Sequence, residues 1–127
     1  MKALYAYITD ALEELEYPVY QQFAPPGTEP PIITFSLNVR ENRNTFSGAQ
    51  LIAASLEVDL WMESEEIGTL ETKLKDIIDR LDKQRLTLVD YNKEIACSIL
   101  LLEGPTIRKS EEGFLDGNLV FSVRVSK

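Results

Sequence analysis

Between Gln50 and Glu63 every second residue is apolar: Ile52, Ala54, Leu56, Val58, Leu60 and Met62. A period of two places all six on one side of a pleated strand, and that side must be covered. The cover follows directly in the chain. Ile67, Leu70, Leu74, Ile77, Ile78 and Leu81 recur at spacings of three and four, which is one stripe of an amphipathic helix. Ser64 is placed to cap this helix, and Glu65 and Glu66 to bring negative charge to the positive end of its dipole. Glu71 with Lys75, Asp76 with Arg80 and Asp79 with Lys83 stand four apart, the spacing of ion pairs on a solvated helix side. Strand and helix together predict a core of Leu56, Val58, Leu60, Leu74, Ile77, Ile78 and Leu81, joined by Phe121 and Val123.

The flanking segments fit the same plan. Leu4, Ile8, Ala11, Leu12 and Leu15 form a first helical stripe over residues 2–16, which Pro18 ends. A short strand is expected over Val19 to Phe23. The stretch Ala24 to Pro31, with four of the six prolines, is a loop. Ile33, Phe35, Leu37 and Val39 alternate with polar residues in another half-buried strand. Glu41 to Ala49 (ENRNTFSGA) is polar and longer than a tight hairpin needs, so it predicts an extended, projecting hairpin that serves as a partner-binding arm or a solvent loop.

Leu86 and Leu88 mark a strand, Tyr91-Asn92-Lys93 a turn, and Ile95 to Leu102 a strand apolar on both faces and hence covered on both, closed by Gly104-Pro105. Two places could hold the last turn, Ser110 to Gly113 or Asp116-Gly117. Leu119, Phe121, Val123 and Val125 alternate in a final strand. Short connections imply a mainly antiparallel sheet, and two single-stripe helices should lie on one face of it. The fold expected is α+β in one domain, residues 1–127.

Chemistry is scarce. The 127 residues include no histidine, so the commonest general base and metal ligand is missing. One cysteine, Cys97, rules out an internal disulfide or a cysteine pair for zinc, and its place in an apolar alternation reads as core. Six glycines form no phosphate loop or dinucleotide fingerprint. A net charge of −8 argues against a surface made to grip phosphates. No apolar run reaches the roughly 20 residues that span a bilayer, and no leader pattern opens the chain, so cytoplasm is the simplest location. Only carboxylates could act catalytically. Glu57, Asp59 and Glu63 share a strand face, with Glu65 and Glu66 close enough in sequence to join them around a hard cation, but acids spaced by two on an outer strand face are ordinarily just solvated. No catalytic, metal or cofactor residue is therefore expected. Trp61, the large apolar residue among those acids, suits an interface.

The succession of segments is itself informative. A short amphipathic helix ends near YPVY, a proline-rich loop leads into PPIITFSLNVR, and a long polar hairpin precedes LEVDLWMESEE. The helix IGTLETKLKDIIDRL follows, and the chain closes on LVFSVRV. In this order of elements the chain resembles the tail-terminator, or tail-to-head joining, proteins of long-tailed bacteriophages and prophages. The resemblance implies a structural protein without a reaction. It would assemble as a six-fold ring, cap the tail-tube protein, present a surface to the head connector protein, and let DNA pass without specific binding. It implies assembly in the bacterial host cytoplasm, a final place in the virion tail or neck, and no membrane partner. On such a ring Asn42, Arg43, Asn44, Phe46 and Trp61 are the expected partner-binding residues, and Glu57, Asp59 and Glu63 the expected lumen-facing acids. Two alternatives are another neck or head-completion protein and a carboxylate-based metal- or ligand-binding α+β domain.

Overall fold

The computed structural model describes residues 2–44, 46 and 48–127. In chain order the elements are α1 (Lys2–Glu13), β1 (Val19–Gln21), β2 (Ile32–Asn44), β3 (Gln50–Glu63), α2 (Ile67–Leu81), β4 (Gln84–Asp90), β5 (Lys93–Lys109) and β6 (Phe114–Ser126). The six strands form one curled sheet in the order β1-β2-β3-β6-β5-β4, with β1 parallel to β2 and every other pair antiparallel. The last strand thus sits near the middle of the sheet, between β3 and β5. The two most regular alternations in the sequence, those of β3 and β6, lie side by side, as expected of strands with one buried face.

Both helices lie on that buried face. Leu56, Val58, Leu60, Leu74, Ile77, Leu81, Phe121 and Val123 are enclosed in one core, and Ile78 packs at its margin. α1 adds Leu4, Ile8 and Leu12, followed by Leu15. This helix touches α2 and also β1 and β4, the strands at the two opposite edges, so the sheet curls round it. Tyr5 meets Phe35 with ring centroids 6.3 Å apart, and Arg80 of α2 is ion-paired with Glu14 just beyond α1. Cys97 is buried in the core as expected, and burial pushes its thiol up to about 11.

Several local expectations are corrected. The residue capping α2 is Glu66, without a side-chain hydrogen bond, because Glu63–Glu66 forms a separate turn (Glu66 N donating to Glu63 O, 3.0 Å). Ser64 and Glu65 therefore precede the helix instead of opening it. None of the three expected i,i+4 ion pairs forms among the described residues, and Arg80 turns to Glu14 instead of Asp76. Gly104-Pro105 does not end β5. The strand continues to Lys109 through two register shifts against β6, between Leu101 and Glu103 and between Glu103 and Thr106. β4 pairs with β5 only as far as Ile99, so this length of β5 is an edge, where a residue without an N–H is tolerated. Gly104 has φ +106°, and a Cβ there would stand 2.7 Å from the Asn118 carbonyl oxygen, so the bulge requires glycine. Nor is that edge covered on both sides: Leu100 and Leu102 are exposed, because both helices occupy the other face.

The final turn falls at Ser110–Gly113, where Ser110 N bonds Phe114 O at 2.8 Å. Asp116-Gly117 lies inside β6 instead. Gly117 lies directly under α2: a Cβ at this position would be 2.7 Å from Leu74 Cδ1 and 3.1 Å from Leu70 Cδ1. Glycine here serves helix approach, which a turn motif read from sequence cannot reveal. The polar excursion after β2 is likewise shorter than expected, since Glu41–Asn44 pair with Gln50–Ala53 as strand.

Two substitutions test this packing. Ile77→Ala removes a fully buried side chain and should cost about 2–5 kcal/mol. Gly117→Val forces α2 off β6 and should cost about 1–3 kcal/mol. Urea unfolding monitored by circular dichroism reads both, and an unchanged midpoint for either would mean that α2 does not dock through this stripe.

Candidate interaction surfaces on the open sheet face

The face of the sheet turned away from the helices carries the chemistry. Trp61, Asp59, Glu57, Ser55 and Ala53 of β3 point to it, and the pairing register aligns them with Asp116, Asn118, Val120, Ser122 and Arg124 of β6. Glu57 and Asp59 do share this face, as their spacing predicts. Neither stands alone, because the side-chain amide of Asn118 donates to Glu57 Oε1 at 2.8 Å and to Asp59 Oδ1 at 2.9 Å. Glu63 lies at the end of the strand, exposed. No group of three or more His, Cys, Asp or Glu among the described residues is placed to hold a metal ion.

Asp116 completes this acidic group. Its Oδ1 is enclosed and has no hydrogen-bond partner among the described residues. Burial, with a hydrogen bond and repulsion from Asp59 and weaker repulsion from Glu57, raises its pKa to about 7, against the opposing pull of Arg108. Asp116 therefore keeps its proton up to near neutral pH. Trp61 lies beside it, half-buried, its indole N–H donating to Thr34 Oγ1 at 3.2 Å. A cleft of about 590 Å³ opens there, lined by Trp61, Phe23, Pro30, Phe114, Glu111 and Glu112 among others.

The opposite end of the same face has a different character. Two cross-strand rows run over it, Glu41–Ala53–Arg124–Ser98–Arg85 and Arg43–Leu51–Ser126–Ala96–Thr87. Small side chains occupy most of the middle and arginines stand above them, leaving a trough of about 510 Å³. Arg43 is held by Glu41 at 2.9 Å, whereas Arg85 and Arg124 form no ion pair or side-chain hydrogen bond among the described residues. The hairpin tip rises beside this trough. Asn42 accepts from Gln50 Nε2 at 2.7 Å, Asn44 pairs with Gln50, and Phe46 is fully exposed. Thr45 and Ser47 lie outside the described residues.

Of the residues singled out from sequence, Asn42, Arg43, Asn44 and Phe46 thus gather at one end of the molecule. Glu57 and Asp59 lie mid-face, and Trp61 and Glu63 at the far end. Sequence reasoning missed Asp116, Asn118, Arg85 and Arg124. The alternations of β4 and β6 were a sufficient signal for their face, but register alone sets Asp116 and Asn118 beside residues about sixty positions away and brings Arg85 and Arg124 into one row. No helix among the described residues is long and apolar enough to cross a membrane.

No family model matches the chain, and neither does any curated protein. A chain in the solved structure of the virion of a native gene transfer agent (GTA) particle shares its fold: the match covers 99% of this chain and 96% of that one, with a TM-score of 0.76 and 16% sequence identity.

The raised pKa of Asp116 gives a pH test. Asp116 has a folded pKa above its unfolded one, so its contribution to stability is fully present below about pH 4 and is lost as pH rises through about 7. Asp116→Asn should remove that dependence. For a partly solvated carboxyl a gain of about 1 kcal/mol is expected, or about 3–6 °C at pH 8, with little difference near pH 4. Thermal melts at the two pH values decide it, and equal shifts at both would refute the raised pKa of Asp116.

Proposed function

We propose that this chain is a structural subunit of a phage-like particle, acting as a tail terminator: a ring that caps the tail-tube protein and meets the head connector protein. One observation carries the reading, the near full-length fold match to a chain of a gene transfer agent virion. The order of segments in the sequence supports the finer assignment to the tail end. The subunit catalyses nothing and holds no cofactor. It assembles in the host cytoplasm and ends in the virion neck.

In this reading the open sheet face lines the channel. Asn118 fixes Glu57 and Asp59 in place, so they present a standing negative surface past which DNA phosphates slide without binding. Glu63 closes that face where β3 meets the turn into α2. The hairpin end, with Asn42, Arg43, Asn44 and the fully exposed Phe46, reaches a neighbouring component, since an exposed aromatic on a pinned hairpin is suited to an interface core.

Phe46→Ser tests this directly. The side chain touches little of its own protomer, so the melting temperature should move by less than about 2 °C. Particles assembled with this variant should show a loss of roughly tenfold or more in joined, infectious or gene-transferring units, counted by titre and electron microscopy, as for removal of a central interface aromatic. Normal yields of joined particles would remove the hairpin from the assembly. Absence of the wild-type chain from purified particles, probed with antibody, would sink the terminator reading.

A further inference from the structure

We infer that the arginine trough at one end of the open face is the seat for the acidic end of a second copy of this chain. The inference deepens the ring reading above and rests on it.

The charges are sorted along the strands. Arg43, Arg85 and Arg124 come from β2, β4 and β6, yet the register gathers them in two adjacent rows at the end of the sheet where β3 begins. At the other end of β3, roughly 40 Å away at about 3.4 Å per residue, the turn into α2 carries Glu63, Glu65 and Glu66, all exposed. Glu111 and Glu112 of the β5–β6 turn stand at the same end, with Arg108 and Lys109 the cations nearest to them in sequence.

A chain of net charge −8 repels its copies over most of its surface. Close approach is favourable only where its few cations are concentrated, and the trough is such a place. Its floor of alanine and serine leaves room for inserted side chains, and Arg85 and Arg124 have their donors uncommitted among the described residues. A planar guanidinium suits a carboxylate through paired N–H donors. The complementary patches lie at opposite ends of the protomer, so the contact is head-to-tail, the kind that closes into a ring when the rotation per subunit allows. It also brings the cleft containing Trp61 to the subunit boundary, because Glu111 and Glu112 line that cleft.

Charge reversal in two variants provides the test. One carries Arg85→Glu with Arg124→Glu, and the other Glu65→Arg with Glu66→Arg. All four side chains are exposed, and circular dichroism checks that each variant is folded. Sedimentation velocity at about 0.1 M salt should find wild type associated and each variant alone weakened roughly tenfold to thousandfold. An equimolar mixture should recover the wild-type species, since each variant then meets a partner of opposite sign. Wild-type association by either variant alone, no recovery on mixing, or a wild type that is monomeric at every concentration would overturn the inference. All three results leave the terminator reading standing, because that reading fails only on absence from particles.

Discussion

The close approach of α2 to the centre of the sheet is the constraint on which the rest of the structure depends. Leu70 and Leu74 lie on Gly117 at distances that leave no space for a side chain, and Ile77 and Leu81 continue the same stripe into the core. Burying a side chain of this size contributes about 1.5–3 kcal/mol, so the stripe is a substantial fraction of what holds a domain of this size together. The helix fixes β3 and β6 as neighbours, and with them the register of the whole open face. α1 then closes the layer by reaching both edge strands.

Because both helices use one face, the other is free to carry polar groups in rows defined by strand pairing. This accounts for the contrast along it. Where β3 ends, carboxylates face one another closely enough for Asp116 to hold a proton to near neutral pH, while Asn118 relieves Glu57 and Asp59. Where β3 begins, small side chains leave the arginines standing above an open floor. The same secondary structure supports opposite electrostatics about 20–30 Å apart, which gives the molecule a direction.

Direction is what a ring or tube component requires. A protein whose interface patches sit at opposite ends assembles head-to-tail, and one with a negatively charged central face leaves passing nucleic acid unbound. The proposed role asks no chemistry of the side chains, in keeping with a sequence without histidine. Its demands are geometric: a rigid sheet, a hairpin whose pairing runs out to Asn44, and a bulged edge in β5.

By itself the sequence determined most of the elements and, in the regular ones, the side that is buried, although Val39 and Ile67, read as part of those sides, are exposed. Periods of two and of three to four are local properties, and they placed β3, β6, α2, Leu4, Ile8, Leu12 and Cys97 correctly. Tertiary structure alone decided what the short motifs meant. Asp116-Gly117 carries a turn signature but serves as the seat of a helix, and Gly104-Pro105 reads as a stop but is a bulge on an unpaired edge. Leu100 and Leu102 look like core and are exposed for want of a third helix. The candidate sites divide in the same way. Glu57, Asp59 and Trp61 were visible because they are neighbours along one strand. Asp116, Asn118 and the arginine trough were not, because cross-strand register is set by the packing of the whole sheet, and no local pattern encodes which residue sixty positions away will stand opposite.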